Sequence, residues 1–365
     1  MTTLFLCGDV MTGRGIDQIL PHGGDPGLCE PAVLDARSYV RLAERANGPI
    51  PRPVGFEWPW GDALAVLDQF APDVRVLNLE TSVTSDGNFA SGKPVHYRMH
   101  PNNVACLTTV RPDVCVLANN HILDFGTAGL AETLHTLAMA GIPTVGAGLD
   151  AEQAERPALI AIPDGTRVVI AAAGMPCSGV PRSWAATDDR PGVVVGELSE
   201  RGAVEIADRV LRLKRADDVA IVSLHWGSNW GYDVESRQVR FAHRLIDAGV
   251  DVVHGHSSHH ARPIEVYRGK LILYGCGDTI DDYEGISGYE DYRDELRLLY
   301  FASIDRASGA LIVLHMVPMR ACRMRLEHAS RDDAEWLRCT LEDASQWFGT
   351  TIRGEADGTL TVLPI

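Results

Sequence analysis

The chain has 365 residues, 45% hydrophobic and 22% charged, enough for one large α/β domain or two small ones. Its formal charge of −16 argues against a nucleic-acid binder that works by neutralising phosphates, and no apolar stretch is long enough to cross a bilayer. Eight scattered cysteines (Cys7, Cys29, Cys106, Cys115, Cys177, Cys276, Cys322 and Cys339) with no C-x-x-C pair point to a reduced, cytoplasmic protein.

In chain order, Leu4-Phe5-Leu6-Cys7 predicts a buried strand that runs into Gly8-Asp9. Residues 15–60 are rich in Pro and Gly and read as a lid-like insertion with a short helix at 32–46. Leu64, Leu67 and Phe70 share one face of a predicted helix over 61–70, which Pro72 stops. A strand at 74–77 then leads to Asn78-Leu79-Glu80, and one at 114–117 leads to Asn119-Asn120-His121. Leu130, Leu134 and Leu137 predict a helix over 127–140, closed by Gly141.

A strand at 168–174 precedes a loop, 175–192, that carries Arg182, Trp184, Asp188 and Arg190. Helices at 197–215 and 236–248 flank a strand, 219–224, that delivers His225-Trp226-Gly227. A strand at 250–253 leads to Gly255-His256-Ser257-Ser258-His259-His260. Strands at 264–267 and 270–274 form a hairpin through Arg268-Gly269, and 297–304 with 311–316 form a second strand pair. A helix at 332–348 and a strand at 359–363 close the chain. No internal repeat or linker divides it. The expectation is one domain over 1–320, with 321–365 as a C-terminal extension packed on it.

Five polar clusters thus sit directly beyond buried strands, where α/β folds gather their ligands. Asp9, Glu80, Asn120, His225, His256 and His259 together offer oxygen and imidazole donors for a divalent cation, Mn²⁺, Mg²⁺, Ca²⁺ or Zn²⁺. His121 with Asp124, and His259 with Asp278, form two candidate acid–base pairs. Arg14 and Arg182 are candidates for binding an anionic substrate group, and Trp184, Trp226 and Trp230 for its apolar walls. Asp281-Asp282 and Glu290-Asp291 read as solvated loop acids.

At Gly8-Asp9-Val10-Met11-Thr12-Gly13-Arg14, Asn78-Leu79-Glu80, Asn119-Asn120-His121, Val180-Pro181-Arg182, His225-Trp226-Gly227 and Gly255-His256-Ser257-Ser258-His259, the chain resembles the CapA family of capsule and poly-γ-glutamate biosynthesis. That family resembles the calcineurin-like metallophosphoesterases. The resemblance implies an α/β fold of two facing mixed β-sheets flanked by helices. Met11 stands where metallophosphoesterases carry a second metal-binding His, so one cation is expected, not two. The expected function is metal-dependent acid–base chemistry, epimerisation at Cα or amide-bond chemistry, on a peptide or polyglutamate-type substrate. The alternatives are a phosphoester hydrolase and a non-catalytic accessory protein of capsule synthesis.

Overall fold

The computed structural model describes residues 1–163 and 165–364. Two mixed sheets face each other. The larger runs Arg353–Gly354, Leu360–Val362, Leu311–Ala321, Leu296–Ile304, Thr2–Val10, Val74–Leu79, Val114–Val116 and Thr144–Val145 in lateral order. The strand Thr2–Val10 lies parallel to Val74–Leu79 and antiparallel to Leu296–Ile304. The smaller sheet runs Ile264–Tyr267, Lys270–Leu273, Val252–His256, Val219–His225, Arg167–Gly174 and Ala158–Ala161. Its central strands are parallel, and an antiparallel strand closes each edge.

Strand side chains alternate between faces, and that alternation builds the layers. Leu4, Leu6, Val74 and Val76 meet Ile170, Val219, Ile221 and Leu273 in a core between the sheets. Phe5, Cys7 and Leu77 point the other way, into a helical layer with Val66, Leu67, Leu130 and Leu137. Ala171, Ala220 and Val222 of the smaller sheet pack against Ala203, Ile206, Phe241 and Leu245 of two further helices. Ile221 has no exposed surface, and truncating it to Ala is expected to cost roughly 2–5 kcal/mol.

The helices follow their sequence signals closely. Ala63–Phe70, Gly126–Met139 and Ser236–Ala248 lie within a few residues of expectation. A capping box between Glu235 and Gln238 starts the last, and Gly249 at φ +117° ends it. The insertion over 15–60 differs from the expected lid. Tyr39, Val40 and Ala43 of the helix Arg37–Asn47, with Ile50, Val54 and Trp60, are buried in the helical layer itself. The Pro and Gly signal marks the turns between these packed pieces, not a detached flap. At the C-terminal end, Leu337 and Leu341 of Arg331–Ser345 reach the core between the sheets. Leu360–Val362 extends the larger sheet, and residue 365 of the expected extension lies outside the described residues.

Candidate metal and acid–base site

Both sheets direct their parallel strands' carboxyl ends to the same edge, and the polar clusters meet there. The register shifts between Leu6 and Asp9, an irregularity that re-aims the end of the first strand. A Cβ at Gly8 would stand 1.9 Å from the Gly277 carbonyl, so only glycine allows this approach. Asp9 is fully buried. Its Oδ1 accepts a hydrogen bond from Asn78 Nδ2 at 2.7 Å, and its Oδ2 accepts one from the Ser257 backbone N–H at 3.1 Å. Ser257 holds that N–H in place at φ +105°, a strained position for a residue with a side chain. Asn78 Nδ2 is also 3.5 Å from Glu80 Oε2. Burial raises the pKa of Asp9 to about 6, and burial together with Asp9's charge raises that of Glu80 well above the usual range.

The histidines of the smaller sheet form a relay whose proton positions follow from its end point. The Cys7 carbonyl can only accept, so His254 donates to it from Nε2 at 2.9 Å. His254 Nδ1 then accepts from Ser223 Oγ at 3.0 Å, and Ser223 Oγ in turn accepts from His256 Nε2 at 2.9 Å. His256 Nδ1 accepts from His225 Nδ1 at 3.0 Å. The relay leaves His225 Nε2 with a bare lone pair. That atom is buried, has no hydrogen-bond partner among the described residues, and lies 3.7 Å from Glu80 Oε1. Burial depresses the pKa of His225 and His256 far below the ordinary value, which keeps both rings neutral.

Two histidine–carboxylate pairs flank this cluster. His121 Nδ1 lies 2.6 Å from Asp124 Oδ2, and its Nε2 points toward Glu80 Oε1 at 3.8 Å. Asp124 also accepts from Lys93 Nζ at 2.5 Å and from the Tyr97 backbone N–H at 2.7 Å. Burial opposes the Asp124 charge, but His121 and Lys93 outweigh it and hold its pKa below the usual value. Burial, offset in part by Asp124 and reinforced by Lys93, pushes the His121 pKa down to about 4. His259 Nδ1 lies 3.0 and 3.1 Å from the two oxygens of Asp278, and the Asn229 amide is 3.1 Å from its Nε2. Burial works against charge on His259 too. Here Asp278 and Asp9 prevail and raise the pKa.

Not every expected substrate group reaches the site. Arg14 is 4% exposed and fully engaged: it pairs with Asp282 and, at 3.0 Å, with Glu30, and its guanidinium lies 3.8 Å from the Tyr39 ring centre. It is a structural cation, not an anion receptor. Asp282 and Asp281 are correspondingly buried, paired with Arg14 and Arg297, and are not solvated loop acids. Trp226 has no exposed surface; it packs on the helix side of the smaller sheet and donates from Nε1 to the Tyr274 carbonyl at 3.0 Å. It cannot form a substrate wall. Arg182 is exposed and outside the lining of the site cavity and of the groove beside it, whereas Arg190 of the same loop lines that groove. Trp184 stays at the site, its ring centre 5.0 Å from Lys93 Nζ. Trp230 sits over His259 at 5.3 Å and stacks on Tyr289 at 4.0 Å. Sequence reasoning missed Lys93, Ser223 and Asn229, and had Asn78 in its polar cluster without a role.

The residues present fit a divalent cation. Asp9, His225 and His256 carry possible ligand atoms within 4.8 Å of one another, but the relay engages both His256 nitrogens, so Asp9, Glu80 and His225 Nε2 are the groups left to face a cation and the expected ligand role of His256 becomes one of orienting His225. Two buried carboxylates side by side need a shared proton or a positive charge, and the lone pair of His225 Nε2 is aimed at them. Asn120 Oδ1, also buried and without a partner, is a further donor at the cavity wall. A second grouping, Asp9 with His259 and Asp278, is as compact, but there His259 Nδ1 is already held by Asp278.

A sequence profile of the bacterial capsule synthesis protein PGA_cap matches residues 3–283. The probable polyglutamine synthesis accessory protein of Mycobacterium tuberculosis (strain ATCC 25618 / H37Rv) is 58% identical over 366 residues, spanning 100% of this chain and 96% of its own. The PGA biosynthesis protein CapA of Bacillus subtilis (strain 168) is 31% identical over 295 residues, spanning 80% of this chain and 66% of its own. Among solved structures, TT1561 of Thermus thermophilus covers 69% of this chain and 93% of its own at 10% identity and TM-score 0.34, a likeness too distant to bear on the fold.

Proposed function

The chain belongs to the bacterial capsule synthesis protein family PGA_cap, and on that premise we propose that it is a metal-dependent acid–base enzyme acting on a peptide or polyglutamate-type chain. One observation carries this reading. Two histidines, each paired with its own buried carboxylate, line one cavity together with Glu80 of the cation-type cluster. Carboxylates also orient metal-ligating histidines, but neither His121 nor His259 is needed to hold the cation here, and two such pairs lining one cavity can move a proton to or from a bound substrate.

In this reading Asp9, Glu80 and His225 hold the cation, with His256, Ser223 and His254 fixing the His225 tautomer behind it. A divalent cation bound there would polarise a substrate carbonyl or carboxylate oxygen. His121, neutral and backed by Asp124, accepts a proton from the substrate. His259, its pKa raised by Asp278, is the second acid–base group at the cavity, and the Asn229 amide beside its Nε2 would have to turn or move aside for that nitrogen to carry a proton to the substrate. Tyr97 and Tyr283, joined through their hydroxyls at 2.6 Å, close the cavity between them. Removal and return of a proton on opposite faces of a peptide Cα, or amide-bond chemistry, are both within reach of this arrangement.

The word "accessory" in the name of the M. tuberculosis relative favours a second reading, in which the site binds but does not turn over. Incubating metal-loaded protein with γ-linked and α-linked glutamyl peptides in heavy water separates the two. Deuterium at Cα, or new amine ends, abolished by chelator and by His121→Ala, is the expected result. Substrate bound with neither change overturns the enzyme reading.

A further inference from the structure

The cavity bounded by Glu80, His121, Ser257 and His259 has a volume of about 160 Å³, room for one residue-sized group but not for a chain. A polymeric substrate must therefore leave it. Lys93, Pro94 and Asn120 form one wall of this cavity and also line a second, larger groove of about 590 Å³. The groove is the continuation of the site along that wall.

Its lining is chemically unusual for this chain. Asp and Glu exceed Lys and Arg by sixteen over the whole sequence, yet among the described residues no acidic residue lines the groove, and its charged residues are Lys93 and Arg190. Lys93 is balanced by Asp124 behind it. Arg190 is exposed, its guanidinium donates to the Ala185 carbonyl at 3.0 Å, and it makes no ion pair among the described residues. The floor is open: a Cβ at Gly92 or Gly126 would meet nothing within 4 Å, which lets a partner's backbone approach. Trp184 forms a flat side wall, its ring held over Lys93.

We propose that this groove is a substrate subsite that takes the next glutamyl residues of an anionic chain, with Arg190 gripping a side-chain carboxylate and Trp184 lying along the chain's methylenes. The proposal rests on the polyglutamate-type reading of the adjoining site. It places polymer recognition on the loop 175–192, through Arg190 and not Arg182. A guanidinium pairs with a carboxylate in bidentate fashion, which gives position as well as attraction. A guanidinium with no ion pair among the described residues, in a groove whose described lining carries no acidic residue, also attracts a polyanion.

The test is binding of a fluorescein-labelled γ-glutamyl decamer to the full chain, followed by anisotropy, alongside turnover of the unlabelled decamer. Arg190→Glu and Trp184→Ala are each expected to weaken binding at least tenfold, while Arg201→Glu, on a distant helix surface, leaves it within twofold. Equal weakening by Arg190→Glu and Arg201→Glu would reduce the effect to net charge and overturn the subsite. So would wild-type protein that does not bind the decamer. Binding lost specifically in Arg190→Glu with no turnover by any form would uphold the groove and refute only the catalytic reading.

Discussion

The bare Nε2 of His225 lies 3.7 Å from Oε1 of Glu80, a side chain from one sheet facing a side chain from the other. Neither atom has a reason to be there in a purely structural core. A buried carboxylate beside a buried lone pair is repulsive until a proton or a cation stands between them. The two sheets therefore meet at a point that is least stable on its own and most receptive to a positive ion.

The relay behind His225 predicts an effect at a residue with no contact to the ion. Ser223→Ala removes the hydroxyl shared by His254 and His256. The His225 tautomer is then no longer fixed, and cation affinity measured by calorimetry is expected to fall about 10–100-fold. Unchanged affinity in Ser223→Ala would show that the relay does not orient the ligand.

Asp278 predicts a titration. Its carboxylate keeps the His259 pKa raised against the effect of burial. Asp278→Asn removes that charge, so the His259 pKa falls, and histidine NMR of the metal-free protein is the measurement. A His259 resonance that titrates identically in both proteins would contradict the pairing.

Arg14 predicts a loss of stability and not of binding. It is a buried cation held between Asp282 and Glu30, and removing one partner leaves buried charge uncompensated. Arg14→Ala is expected to cost about 3–5 kcal/mol in urea unfolding. Asp282→Asn should cost a comparable amount, and the two changes together less than their sum.

His254 predicts how stability depends on pH. Burial pushes its pKa down to about 4 from an ordinary 6.5. The unfolded chain takes up this proton near pH 6.5 and the folded chain only near pH 4. The stability from the neutral ring is complete above 6.5 and is lost as pH falls through 4, a change of roughly 3 kcal/mol for this one group. Urea midpoints of metal-free protein at pH 7.5 and 4.5 measure it, and His254→Gln is expected to flatten the dependence.

What could be read from the sequence follows from which interactions are local. Asp9, Glu80, His225 and His256 are legible because each lies at or just beyond the end of a largely apolar buried strand, and parallel strands must end together. Trp226 illustrates the same alternation missed: the residue after His225 faces the opposite layer, so it belongs with Phe241 and Tyr274 and not with the site. Ser223 carried a usable signal, a hydroxyl inside an otherwise apolar strand that needs a partner. Lys93 carried none. It comes from an irregular segment with no periodicity, and its link to Asp124 exists only in three dimensions. Asp281 and Asp282 looked like loop acids because Arg297 and Arg14, which bury them, cannot be paired with them from sequence spacing. The proline-rich 15–60 segment misled for a related reason: Pro and Gly mark turns, and turns occur as readily between packed helices as in a lid.

The central claim is that residues remote in sequence meet to hold one divalent cation. Elemental analysis of the purified chain, after exchange into metal-free buffer and again after chelation, tests it most directly when paired with thermal melting. The expected result is one divalent cation per chain in wild type, a lower melting temperature once it is stripped, and no retained cation in the Asp9→Asn or His225→Ala variants. A wild-type chain that holds no cation when supplied with Mn²⁺, Mg²⁺, Ca²⁺ or Zn²⁺, or variants that hold as much as wild type, would contradict it.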